Sequence, residues 1–155
     1  MGRIDEANLL IDASPARVFT ALSTAGSVAK WLPPTGMTAR VEHFDARDGG
    51  AYRLVLTYQD AMGAPGKSSA DEDVVEGRFI EVIPGVRLVQ EVEFESDDPQ
   101  YAGVMRMTWE VKERGEGSEV TFRAEDVPVG ISAQDHIEGL TSSLQNLAAV
   151  VEGQL

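Results

Sequence analysis

The order of hydrophobic and polar residues along the chain predicts a strand, two short helices, six more strands and one long helix. Residues 4–12 mix apolar and polar side chains over the length of a strand. Ser14 can cap a helix, and Pro15 suits a first helical position, because that position needs no N–H donor. The spacing that follows predicts helices over 16–22 and 25–30, the second ended by paired prolines.

Six runs rich in β-branched and aromatic residues follow, and turn residues separate them in pairs. The predicted strands are 37–45, 51–58, 74–83, 86–95, 104–114 and 118–126. We expect Gly49 and Gly50 to supply the positive φ angles of a tight turn, and Pro84-Gly85 is a second turn signal. This spacing of strands and turns is typical of antiparallel hairpins.

The last element changes period from two to about 3.6 residues. Apolar positions recur on one face at about 100° per residue. They are Ile137, Leu140, Thr141, Leu144, Leu147, Ala148 and Val151. Ser132 is the predicted cap and Gly153 the predicted end. Because a seven-stranded antiparallel sheet must cover one face, the pattern predicts an α+β fold with the sheet curled around this C-terminal helix, in one domain spanning 1–155.

Composition and charge narrow the classes of function. Thirteen lysine and arginine residues against 26 aspartate and glutamate residues give a net charge of -13, which repels nucleic acid and anionic lipid. The absence of cysteine excludes disulfides, thiolate nucleophiles and cysteine-ligated zinc. No segment reaches the ~18 apolar residues of a membrane span, and the N-terminus lacks the apolar core of a signal peptide. We therefore expect a cytoplasmic protein that neither binds nucleic acid nor spans a membrane.

Short motifs resemble one superfamily along nearly the whole chain. Ala13-Ser14-Pro15 with Val18-Phe19 resembles its opening helix, and Trp31 followed by Pro33, Pro34 and Gly36 resembles its tryptophan-containing turn. The superfamily is the START-like one, also called SRPBCC or birch-pollen-allergen-like. Its helix-grip fold implies a cavity between a curved sheet and the long helix, which different members use for lipids, sterols, hormones or polyketides, sometimes with catalysis.

Two hairpins narrow the resemblance to one branch, the homologues of the heat-shock chaperone ATPase activator. The matching residues are Val41-Glu42, Asp45, Gly49-Gly50 and Tyr52 in one hairpin, and Gly77, Glu81-Val82, Pro84 and Arg87-Leu88-Val89 in the next. Many branch members carry a tryptophan after the glycine of the last helix, where this chain has Gly139-Leu140. This difference implies a wider cavity. The branch also implies a chaperone or other protein as a partner in stress response.

Strand alternation predicts which side chains line such a cavity, because every second residue of a strand faces the covered side. Met105, Met107 and Trp109 share one face, and flexible thioethers beside an indole suit an adaptable apolar wall. The predicted ligand-binding residues are Trp31, Tyr52, Tyr58, Arg78, Met105, Met107, Trp109, His136, Leu140 and Leu144. The expected ligand is a hydrophobic or aromatic small molecule, without a cofactor or a metal.

Three functions stay open at the level of sequence: a binding protein, a cyclase-like or hydratase-like enzyme, and a chaperone-interaction module. In an enzyme, acid–base chemistry would come from His43, Glu76, Arg78 or His136. Both faces of strand 74–83 carry apolar residues, so its buried face is undetermined. No serine has the glycine pattern of a nucleophile elbow, and the two histidines have no third metal ligand at a suitable spacing. We therefore assign no catalytic residue.

Overall fold

A computed structural model describes residues 3–33, 37–58, 72–94, 99 and 103–153. Within these ranges, seven strands form one antiparallel sheet in the order β1-β7-β6-β5-β4-β3-β2. The strands are β1 (Ile4–Ile11), β2 (Met37–Phe44), β3 (Ala51–Tyr58), β4 (Glu72–Ile83), β5 (Arg87–Phe94), β6 (Met105–Arg114) and β7 (Gly117–Glu125). The helices are α1 (Pro15–Leu22), α2 (Ala25–Trp31) and α3 (Ala133–Val151). The predicted helix-grip order is confirmed, with ends that differ by at most two residues.

Helices α1 and α3 begin where the sequence predicts capping side chains. The Ser14 hydroxyl accepts a hydrogen bond from the Arg17 amide at 3.2 Å, and Ser132 does the same for the Asp135 amide at 3.1 Å. Each bond satisfies one of the free N–H groups of a first turn. The Trp31 indole N–H donates to the Ala21 carbonyl at 2.9 Å, which ties α2 to α1.

The concave face of the sheet carries the core. Trp109 of β6 stacks on Phe122 of β7 with ring centroids 3.6 Å apart, and Trp31 meets Trp109 edge-on at 5.1 Å. Leu144 and Leu147 of α3 are fully buried against this face. Burial on this scale is the main stabilising contribution to such a fold.

A bulge in β4 explains why both faces of this strand are apolar. The register shifts between Phe79 and Glu81, so the inward side switches there. Phe79 is fully buried before the shift, whereas Val82 packs against the core after it. Glu76 therefore lies on the outer face of the sheet, where its carboxylate pairs with the Arg53 guanidinium.

The outer face of the sheet is covered with cross-strand ion pairs. Arg53 of β3 also donates to Glu42 at 2.7 Å, and Arg106 of β6 donates to Glu91 at 3.0 Å. These solvent-exposed pairs are worth little stability individually. Among the described helices, none has the length and apolar character that crossing a bilayer would take.

Candidate ligand cavity

A cavity of about 460 Å³ lies between the concave face of the sheet, α2 and the first half of α3. Most of its wall is apolar. The described lining residues are Leu22, Val28, Trp31, Leu32, Phe44, Tyr52, Leu54, Leu56, Val75, Leu88, Gln90, Val92, Met105, Met107, Trp109, Phe122, Ile131, Asp135, His136, Gly139, Leu140 and Ser143. Its volume falls in the range of about 300–1,000 Å³ that is usual for small-molecule sites.

One stripe of α3 forms the helical wall of the cavity. Gly139, Leu140 and Ser143 lie three, four and seven residues after His136, so the four residues share one face of the helix. A Cβ atom placed on Gly139 would meet no other atom within 4 Å. The glycine therefore leaves open space at the centre of the wall. The wider cavity that the resemblance implies concerns the next residue, Leu140, which stands where many branch members carry a tryptophan.

The strands supply the opposite wall. Tyr52 of β3 is 4% exposed, and its ring lies over Gly77 on the neighbouring strand, where a Cβ atom would overlap the phenol. Burial raises the pKa of Tyr52 well above its usual value, because desolvation penalises the phenolate. The neutral Tyr52 hydroxyl and the Gln90 amide are thus among the few polar groups on this wall of mainly apolar side chains.

A hydrogen-bonded pair of a histidine and an aspartate meets the cavity at the start of α3. His136 Nδ1 lies 2.8 Å from the Asp5 carboxylate, and the Arg3 guanidinium donates to the same oxygen at 3.1 Å. Asp5 is 2% exposed, so two partners satisfy a buried charge that would otherwise be costly. Arg3 also donates to the Ile131 carbonyl, which fixes the guanidinium against the loop before α3.

Seven of the ten residues predicted to bind ligand line this cavity. They are Trp31, Tyr52, Met105, Met107, Trp109, His136 and Leu140. Arg78 does not join them, because it is exposed on the outer face of β4 before the bulge. Leu144 packs in the core and is absent from the described lining. The side chain of Tyr58 lies outside the described part of the chain, as do Pro34 and Gly36.

Most of the candidate acid–base residues also lie outside the cavity. His43 on β2 and Glu76 on β4 are exposed and do not line the cavity. Of the four residues considered for such chemistry, His136 alone reaches it. Within the described ranges, no group of three or more potential metal ligands comes together.

Asp5 is the functional candidate that the sequence reasoning missed. It alternates inward with Ala7, Leu9 and Ile11 along β1, so strand parity places a carboxylate among apolar side chains. Its partner His136 is 131 positions away along the chain. The parity was readable from the sequence, but the pairing depends on how α3 packs across β1.

Comparisons with known proteins agree with this architecture. A protein of Chromobacterium violaceum is 31% identical, with a TM-score of 0.84 and 96% of each chain covered. A protein of Rhodobacter sphaeroides is 18% identical, with a TM-score of 0.77 over 99% of this chain and 96% of the other. An AHSA1-like protein of Aeromonas hydrophila is 15% identical, with a TM-score of 0.74 over 98% of this chain and 94% of the other. The last two show likeness of fold alone.

The family model gives a more specific assignment. No curated protein matches the chain significantly. The model described as activator of Hsp90 ATPase homolog 1-like protein matches residues 12–152, from the end of β1 to the end of α3. The match includes both the long helix and the whole strand wall of the cavity. The chain therefore belongs to the family of activator of Hsp90 ATPase homolog 1-like proteins.

Proposed function

We propose that this protein binds an apolar or aromatic small molecule in the cavity between α3 and the sheet, and that it does so in the cytoplasm. The observation that carries the proposal is the chemistry of the wall. Met105 and Met107 offer adaptable apolar surface on the strand wall, while Gly139 leaves space beside Leu140 on the helical wall. An apolar cavity with few polar groups is the usual form of a small-molecule site.

Binding to a protein partner is a second candidate function, and the description of the family favours it. That description names an activator of the Hsp90 ATPase, so a chaperone is the partner to test. A chaperone interaction would use the outer surface and would not depend on the cavity. Pull-down with purified Hsp90 therefore separates the two functions, because a cavity-filling substitution such as Gly139→Leu should leave a surface interaction unchanged.

The two tryptophans report directly on ligand entry. Trp31 and Trp109 are the only tryptophans in the sequence, and both line the cavity. A bound aromatic compound therefore changes the tryptophan emission. We expect naphthalene-sized aromatic compounds to change it saturably, and to raise the melting temperature because they bind only the folded state. At 100-fold excess over Kd the gain is about 2.7 kcal/mol, or roughly 5–11 °C.

The control is a compound of similar size that is fully charged and hydrophilic, which should change neither signal. If no apolar compound changes emission or melting temperature, the small-molecule proposal is wrong. Binding that leaves the tryptophan emission unchanged would place the ligand outside the cavity and would equally contradict it.

A further inference from the structure

The pairing of Asp5 with His136 determines which imidazole nitrogen carries a proton. The two atoms Nδ1 and Oδ2 are 2.8 Å apart, and a carboxylate can only accept a hydrogen bond. Arg3 already compensates the carboxylate charge through a 3.1 Å contact. An N–H at Nδ1 therefore satisfies the pair, and in the neutral imidazole this tautomer leaves Nε2 with a free lone pair.

This lone pair belongs to a residue of the cavity wall. His136 lines the cavity, and its side chain is 13% exposed. Within the described part of the chain, Nδ1 has a hydrogen-bond partner and Nε2 has none. A fixed acceptor in a mainly apolar wall is best satisfied by a ligand that brings a donor, because an unmatched polar group costs binding energy.

The charges around the cavity favour a neutral ligand. Asp135 is the one carboxylate among the described lining residues, and it is exposed at the start of α3. The described lining contains no lysine or arginine, so a carboxylate ligand would meet a like charge and no counter-ion. A cationic ligand would lose its hydration among apolar side chains, which is also costly.

We propose that the cavity selects neutral apolar molecules that carry a hydroxyl group, and that the ligand O–H donates to Nε2 of His136. Asp5 is the positioning residue that holds the imidazole in the accepting form. The proposal rests on the proposed small-molecule function and names the ligand class for the same site.

Three probes of nearly equal shape test the ligand class: naphthol, its methyl ether and naphthoate. The affinities are measured by titrating each probe into the protein at pH 8. This pH lies above the ordinary pKa of an imidazole and below that of a phenol, so an unperturbed group of either kind is neutral. We expect naphthol to bind about 2- to 12-fold more tightly than the ether, as one net hydrogen bond gives, and naphthoate to bind most weakly. Equal affinity for naphthol and the ether, or tighter binding of naphthoate, overturns the proposal.

His136→Phe separates the hydrogen bond from a difference in ligand size. It should bind naphthol and the ether equally, whereas the matched His43→Phe variant should keep the preference, because His43 is exposed on β2 outside the cavity. If the His136→Phe variant still binds naphthol more tightly than the ether, the proposed hydrogen bond to His136 is wrong.

A spectroscopic measurement on the unmodified protein does not depend on the folding of a variant. With two histidines in the sequence, the imidazole ¹⁵N signals can be assigned by comparison with His43→Phe. We expect an unprotonated Nε2 in His136 that shifts on addition of naphthol and stays unchanged with the ether. A proton on Nε2 at pH 8, or equal shifts with both probes, contradicts the assignment.

Asp5→Asn tests the positioning role, because an amide can also donate to Nδ1 and so release the second tautomer. In this variant we expect the ratio of the naphthol affinity to the ether affinity to fall towards one, while the affinity for the ether stays the same. An equal loss of affinity for both probes would show a merely structural role and would refute the positioning role. If none of the three probes binds the unmodified protein, the small-molecule function itself fails, a result distinct from binding without selectivity.

Discussion

Gly139 offers a substitution that should strengthen the fold while it weakens ligand binding. It lies within α3, where glycine costs about 0.5–1 kcal/mol relative to alanine because its backbone loses more freedom on folding. Leucine has nearly the helix propensity of alanine, and no atom lies within 4 Å of the Cβ position. We expect Gly139→Leu to raise the melting temperature by roughly 1–4 °C.

The same leucine side chain extends from the cavity wall into the space that we assign to the ligand. Overlap of this kind costs about 1–3 kcal/mol when a packed site is overfilled. The expected loss of affinity for an aromatic ligand is therefore about 5- to 150-fold. Gly139→Ala should give the same gain in stability with a smaller loss of affinity, because it adds one carbon.

Isothermal calorimetry and thermal unfolding on the same samples measure both effects. Gly26→Leu is the matched control, since Gly26 lies in α2, is exposed, has no atom near its Cβ position and does not line the cavity. It should leave affinity unchanged. If Gly139→Leu lowers stability, or if it leaves affinity at the value of the unmodified protein, our description of this wall is wrong.

Three further predictions concern stability. Gly77→Ala should cost about 1–3 kcal/mol in urea unfolding, because its methyl group would overlap the Tyr52 ring; a neutral effect would contradict that contact. Ser118→Ala should also cost about 1–3 kcal/mol, since it leaves the buried Ala13 carbonyl without its 2.7 Å donor; an unchanged midpoint would show otherwise. Burial raises the pKa of Tyr52, so the folded state holds its proton while the unfolded state ionises. Stability should therefore fall as pH rises above about 10, and Tyr52→Phe should fall less steeply over the same range.

Regular periodicity made much of the fold and of the strand wall predictable from sequence. Alternation along β6 placed Met105, Met107 and Trp109 on one face, and all three line the cavity. The helical period placed Leu140 on the inner face of α3. These features depend on residues close in sequence, and local geometry fixes which way their side chains point.

Features that depend on irregular backbone or on distant contacts were not predictable in the same way. The bulge after Phe79 reverses the inward side of β4, so its alternation alone cannot place Arg78. The pairing of Asp5 with His136 depends on the packing of α3 against β1, at opposite ends of the chain. The apolar residues on both faces of β4 do not say where the bulge lies, and the pairing has no signal in the spacing of hydrophobic residues.

The occupancy of the cavity is tested most directly by intermolecular NOEs between an aromatic ligand and methyl-labelled protein. With naphthol bound, we expect NOEs from its ring protons to the methyl groups of Met105, Met107 and Leu140, which line the cavity. Leu10 is 67% exposed on the outer side of β1 and should show none. Ligand NOEs to Leu10, with none to the three lining residues, would place the ligand on the surface and contradict the proposed binding site.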